Sequence, residues 1–197
     1  MVLAMKKVLH VGSGGVHIIN THGFNQGEWE EVRLDINPAM GPDIVGSMTD
    51  MQGVPDKSFD AVYSSHNIEH LYPHEVPIAL KEFRRVLKDD GFCLIITPDI
   101  QAVALRVAQG NLTGALYQSS AGPIAALDIM YGHRPSLERG NLFMAHHTAF
   151  TNLTLQEALM KANFADIITD CEMYTLAAIA GNRLTDFAVM ALETVFK

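Results

Sequence analysis

Cysteine is scarce in this 197-residue chain. Only Cys93 and Cys171 occur, so no disulfide framework organises it. Both lie among apolar neighbours, in FCLII and IITDCE, and read as ordinary buried thiols of a reducing compartment. A single disulfide between them is the lesser alternative. Basic charge is also short. Fourteen Lys and Arg stand against 22 Asp and Glu, a formal net charge of −8, and the basic residues do not cluster. Bulk nucleic acid and anionic membrane surfaces are therefore poor partners. No apolar run approaches the roughly 18 residues of a membrane span. The apolar stretch in MVLAMKKVLHVG is too short for a signal peptide, so a cytoplasmic location is expected. Repeats, low-complexity tracts and linkers are lacking too, and one domain over residues 1–197 is expected. Charged residues make up 18% against 48% apolar, which supports a packed core and excludes general disorder.

What the chain does have is alternation. Short apolar runs at 7–11, 29–36, 43–47, 59–65 and 92–97 read as strands of a parallel sheet covered on both faces. Between the fourth and fifth runs lies EVPIALKEFRRVLKDDG. Val76, Leu80, Phe83 and Leu87 recur there at helical spacing, and Gly91 reads as the terminator. The alternation implies right-handed βαβ crossovers and a doubly wound α/β fold. The segment between Gly15 and Trp29 holds two glycines and two asparagines, so the first crossover helix is expected to be short or irregular. Residues 99–150 break the rhythm. A helix is expected at 100–110, but no strand pattern follows, and an insertion this long between sheet elements usually carries function. Beyond it, 154–163 reads as a helix capped by Thr154 or Asn152. The runs 165–172 and 186–196 are taken as an antiparallel edge pair, with LAAIAGN between them ambiguous. The last strand is a possible dimer edge.

The first strand runs into Gly12-Ser13-Gly14-Gly15, and Asp35 closes the second strand about twenty positions later. Glycines let a ligand approach the backbone where a Cβ would block it. A carboxylate one strand over can accept hydrogen bonds from both ribose hydroxyls. The bland alternatives are a tight turn without ligand and a turn aspartate before Asn37-Pro38. A dinucleotide fingerprint wants a third glycine where His17 stands, which counts against a nicotinamide oxidoreductase. After the third strand, Asp50 could accept from an adenine amino group with Met51 packed on the ring; a solvated loop is the alternative.

VLHVGSGG, RLDI, SMTDM, SFDAVYSSHNIEHL, EFRRVLKDDG and FCLIITPD, in that order and spacing, resemble the class I S-adenosylmethionine-dependent methyltransferases, of the type 11 kind, across roughly residues 6–100. The resemblance implies a seven-stranded, mostly parallel, Rossmann-like sheet whose last strand is antiparallel. It implies S-adenosylmethionine as cofactor, with Gly12, Ser13 and Gly14 at its methionine part. Asp35 and Ile36 would meet the ribose and its surroundings, Asp50 and Met51 the adenine, and Ser65–His66 the space near the sulfonium. The family often carries Asp or Glu where His10 stands, and its last loop glycine falls at Val16.

The tract His66-Asn67-Ile68-Glu69-His70 also fits H-x-x-E-H, a zinc-peptidase signature, with His74 four places on. Pro73 and Pro77 interrupt the helix that such a site needs. The resemblance explains the tract as a common run after strand four, and no metal is expected. His66 is the first candidate for a general base, because it would stand beside the methyl donor and a neutral histidine titrates in the useful range. In the insertion, Tyr131, His133, Arg134, His146 and His147 are candidate acceptor contacts, with loop packing as the alternative. The expected function is direct in-line methyl transfer to a small-molecule acceptor. An inactive methyltransferase-like binding or partner domain is the alternative, since His10 and the irregular glycine loop depart from the family pattern.

Overall fold

The computed structural model describes residues 5–21, 24 and 28–196. The extreme N-terminal stretch and parts of the first crossover, 22–23 and 25–27, lie outside the described residues. Within the crossover, Ile18–Asn20 forms a single 3-10 turn.

Five parallel strands, with the last strand in sequence inserted antiparallel beside them, build the sheet that matters for the site. β1 (Lys6–Val11) pairs in parallel with β2 (Trp29–Asp35) on one side and β4 (Phe59–Ser65) on the other. The short β3 (Ile44–Val45) extends the sheet beyond β2. β4 is followed by α1 (Val76–Val86), and β5 (Leu87–Pro98) pairs in parallel with β4. α2 (Ile100–Ala108) opens the insertion, which continues through a hairpin of β6 (Ala115–Ser119) and β7 (Gly122–Ala125). Two short helices follow, α3 (Ala126–Tyr131) and α4 (Arg134–Glu138). α5 (Asn152–Lys161), β8 (Asp166–Glu172), β9 (Thr175–Gly181) and α6 (Asp186–Glu193) complete the chain. The seven-stranded sheet runs β3-β2-β1-β4-β5-β9-β8. β9, the last strand in sequence, is antiparallel to both of its neighbours. Strand order therefore reverses between β1 and β4, the place where open α/β sheets bind ligands.

Alternation along the strands feeds two cores. Leu9, Val62, Cys93 and Ile95 face α1 and α5, meeting Leu80, Phe83, Leu155 and Leu159. Val8, Ala61, Tyr63 and Leu94 face the other side, against Trp29 and Ala188, Ala191 and Leu192 of α6. Every central strand is thus covered twice, as its apolar composition demands. Cys93 is buried and unpaired, and burial pushes its thiol up to about 12; Cys171, contrary to the expected burial, is exposed and also unpaired. No helix among the described residues is long and apolar enough to cross a membrane.

Four expectations need correction. Residues 186–193 are helical, and the strand is Thr175–Gly181, the ambiguous LAAIAG run. Thr185 caps α6 by accepting from the Ala188 N–H, and Ala188, Ala191 and Leu192 bury one face. Small residues fill β9 because it lies between two strands with cover on both sides. The exposed edges are thus β8 and β3, not the chain's last element. Gly91 does not end α1. The helix ends at Val86, and Gly91 lies inside β5, where an added Cβ would stand 3.0 Å from the Asp60 carbonyl oxygen. The cap of α5 is Thr151, whose hydroxyl accepts from the Thr154 N–H. Finally, the insertion holds a β-hairpin that no periodicity announced.

Candidate functional site

The carboxyl ends of β1, β2 and β4 enclose a cleft of about 360 Å³, a size suited to a small ligand. β1 leads into Gly12, which takes φ +60° while its N–H donates to the Leu34 carbonyl at 2.7 Å. A Cβ at Gly12 would run into the side-chain amide of Asn67. That amide donates to the carbonyls of Val11 at 2.7 Å and Ser65 at 3.0 Å, stapling the ends of β1 and β4 together. Gly14 also has positive φ, +51°, and donates its N–H to Asp35 Oδ2 at 2.8 Å. Asp35 Oδ1 accepts from the Asn37 N–H at 2.8 Å. Each carboxylate oxygen thus holds one backbone donor and keeps a further lone pair, and Asp35 lines the cleft.

Arg33 supports this arrangement from below. Its buried guanidinium donates to the carbonyls of Gly14 at 2.5 Å, Met40 at 3.0 Å and Gly41 at 3.1 Å, tying the glycine loop to the loop after β2. Five donors in a rigid fork suit that task. Neither Arg33 nor Asn67 stood out in the sequence. Each lies inside a motif quoted from the sequence, RLDI and His66-Asn67-Ile68-Glu69-His70, but with no role assigned to it there.

Gly12, Gly14, Asp35, Ile36 and His66 all line the cleft. Ile36 leaves 54% of its surface exposed there, an apolar wall next to the carboxylate. Ser13 and Ser65 do not line the cleft. Ser13 is buried with its hydroxyl unpartnered. Asp50 is exposed beyond the cleft, and Met51 is core, packed beneath Glu82 and Arg85, which bond its N–H and carbonyl. The residues of that segment that reach the cleft are Gly46, Ser47 and Met48. His10 does not reach it. Its ring lies edge-on to Tyr63 and bonds through Nδ1 to Glu31 Oε1 at 2.8 Å. Burial outweighs that carboxylate and holds the His10 imidazole below its ordinary pKa.

The insertion closes the other side, with different residues from those expected. Leu142, Phe143, Met144 and His147 line the cleft. Tyr131, His133 and Arg134 do not. Tyr131 is exposed, His133 bonds Ser136, and Arg134 forms a bidentate pair with buried Asp128 at 2.7 and 2.9 Å. That pair holds the Asp128 carboxyl at about 2. His147 stacks on Tyr72 with ring centroids 4.2 Å apart, and His146 lies behind it with Nδ1 2.7 Å from the Ile129 carbonyl oxygen. Leu142 and Phe143 are 72% and 57% exposed, so an apolar rim overhangs the cleft. Gly132 makes this possible. It takes φ +102° and packs its bare Cα against the Met144 carbonyl.

His66 stands at the end of β4 with φ +53°, its N–H donating to the Ile96 carbonyl at 2.8 Å. Its ring is half exposed, with Nδ1 3.4 Å from Glu69 Oε1. Burial opposes charge on the ring, but the carboxylate beside it prevails and raises the imidazole above its ordinary pKa. Burial of Glu69 is likewise outweighed by His66, so its carboxyl is held low. The 68–70 segment is one 3-10 turn, so H-x-x-E-H does not form the helix of a zinc peptidase.

Residues 9–95 match the family model described as a methyltransferase domain. This likeness spans less than half of the chain, from β1 into β5. No curated protein matches the chain. Among solved structures, the chain is similar to the PH0226 protein of Pyrococcus horikoshii OT3, at TM-score 0.61 and 17% identity, over 90% of this chain and 82% of that one. It is also similar to a SAM-dependent methyltransferase of Archaeoglobus fulgidus, at TM-score 0.56 and 17% identity, over 89% and 86%. A third likeness, to the 1,6-didemethyltoxoflavin-N1-methyltransferase of Burkholderia thailandensis, has TM-score 0.53 and 15% identity, over 89% and 70%. At these identities the likenesses speak to the fold: a Rossmann-like sheet with an antiparallel strand.

Proposed function

We propose that this methyltransferase domain uses S-adenosylmethionine and transfers its methyl group in line to a small-molecule acceptor held beneath the 141–147 segment. The observation that carries this reading is the cradle at the strand-order reversal. Two positive-φ glycines face a buried carboxylate whose oxygens each retain a lone pair. In this reading Asp35 accepts from the ribose hydroxyls, Ile36 packs beside the adenine end, and the bare backbone of Gly12 and Gly14 admits the methionine end. The cofactor supplies a methyl group on a sulfonium, already a strong electrophile.

What remains for the protein is alignment and exclusion of water, which can contribute up to about 7–11 kcal/mol in ideal cases. The apolar rim of Leu142, Phe143 and Met144 suits both tasks. As the bond from methyl carbon to acceptor forms, the carbon–sulfur bond breaks. Where the acceptor atom carries a proton, His66 receives it, since its ring is half exposed in the cleft.

Titration calorimetry with S-adenosylhomocysteine tests the reading. Wild-type protein binds one equivalent, and Asp35→Ala loses roughly 10- to 150-fold in affinity, the scale of about 1.5–3 kcal/mol for charge-assisted hydrogen bonds. Equal affinity in the variant removes the ribose role. Once an acceptor is found by methyl-label transfer, His66→Ala slows turnover by about 10²–10⁴-fold if the acceptor is protonated. Normal turnover would assign the proton elsewhere.

A further inference from the structure

Behind the acceptor side of the cleft, three side chains converge that the methyl-transfer reading does not use. Glu69 is 1% exposed. Its Oε2 accepts from Thr97 Oγ1 at 3.0 Å. Its Oε1 is buried and takes no hydrogen bond, with the nearest cationic group, His66 Nδ1, at 3.4 Å. A buried carboxylate oxygen without a donor is costly unless a cation meets it.

His146 arrives from the insertion, 77 positions after Glu69. Its Nδ1 lies 2.7 Å from the Ile129 carbonyl oxygen, so that nitrogen carries the hydrogen and donates. Nε2 is left with a lone pair. A backbone carbonyl that fixes the tautomer in this way is the usual support of a metal-bound histidine. His70 sits between them, its ring edge-on to His146 with centroids 4.8 Å apart. Its two nitrogens face carbonyl oxygens, Ala145 at 2.9 Å and His66 at 3.1 Å. A neutral ring can donate to only one of these, which leaves a lone pair against an acceptor. One ligand atom from each of Glu69, His70 and His146 lies within 4.8 Å of the other two.

We propose that Glu69, His70 and His146 form a site for one divalent transition-metal ion. The ion satisfies the orphaned Oε1, takes the free Nε2 of His146, and replaces one of the two carbonyl contacts of His70. Two imidazoles and a carboxylate suit Zn²⁺ and its first-row neighbours; Mg²⁺ and Ca²⁺ prefer all-oxygen sites. Three protein ligands leave a position open, and His70 also lines the cleft, so the site opens toward the acceptor side. The H-x-x-E-H spacing supplies two ligands, but from a turn, and the third comes from a distant segment.

The test is calorimetric titration of Zn²⁺ into the chelator-stripped full chain, with Co²⁺ visible absorption as a second probe. One equivalent should bind at micromolar affinity or tighter. His146→Ala and Glu69→Gln should each weaken binding by more than roughly 100-fold, the upper range for losing a mere supporting group. His133→Ala, whose ring bonds Ser136 outside the cluster, should bind as wild type. Melting followed by circular dichroism checks that each variant folds. Should buried Glu69→Gln fail to fold, the partly buried His146 carries the test alone. Binding weaker than millimolar, or unchanged in His146→Ala, overturns the site. S-adenosylhomocysteine binding is measured separately on metal-free protein, so failure of the ion site and failure of the cofactor cleft are told apart.

Discussion

At the scale of single residues, the site depends on where the backbone must come close to something. Gly12 is the sharpest case, because two independent obstacles meet there. Its φ of +60° disfavours any side chain, at about 1–2 kcal/mol, and the Asn67 amide occupies the space a Cβ needs. Gly12→Ala should therefore lower the melting temperature and weaken S-adenosylhomocysteine binding together. Adding Asn67→Ala should recover part of the binding, because it opens the space but leaves the backbone strain. Recovery to wild-type affinity would show that strain plays no part; no recovery would show that the amide was not the obstacle. Gly12, Gly14 and Asp35 were legible in the sequence because a glycine loop and a strand-end carboxylate carry their own local signature. Asn67 and Arg33 were not. Their work is done on carbonyl oxygens, and any carbonyl looks the same in a sequence.

At the scale of elements, periodicity read well where one face was buried and poorly where both were. α1 was legible because Val76, Leu80 and Phe83 repeat on one side. β9 and α6 were confused because both are rich in alanine and large aliphatics. Burial on both faces turned the alanines of β9 into strand residues against their helical preference. The insertion was the least legible. The 142–144 turn reaches the cleft only because Gly132 bridges to Ala145, a pairing between two loops with no periodic trace. The same insertion carries its own anchor in Asp128. Its carboxylate accepts from the N–H groups of Ala125 and Arg134 and from the Arg134 guanidinium. The Arg134 guanidinium beside Asp128 depresses its pKa to about 2 from 3.8. A depressed acid stabilises the fold above its unfolded pKa, and the contribution fades as pH falls from about 4 toward 2. Discounted for the half-exposed arginine, it amounts to about 1–2 kcal/mol. Asp128→Asn should cost about that much at neutral pH and little near pH 2, read by urea melts at both. An equal loss at both pH values would deny the charge its role.

At the scale of the whole molecule, the cleft is where separately built parts meet. β1 and β2 bring the cradle, β4 brings His66, and the insertion brings the apolar rim. None of these is covalently near the others except through the sheet, so a ligand in the cleft binds only the assembled fold. The edges of the sheet support that closed unit. β3 is two residues long, and β8 carries Asp166, Asp170 and Glu172, charges that oppose pairing with another copy. Linkage then fixes how strongly the cofactor product should stabilise the chain. At a hundred times its dissociation constant, S-adenosylhomocysteine adds about 2.7 kcal/mol. For a chain of this size that corresponds to a rise of roughly 5–10 °C in melting temperature. The rise should grow with the logarithm of ligand concentration in wild type. In Asp35→Ala, weakened roughly 10- to 150-fold, the same ligand concentration should add only about 0.3–1.4 kcal/mol, at most about half of the wild-type rise. A comparable rise in that variant would place the ligand outside the cleft and remove the single geometry on which the assignment of its cofactor rests.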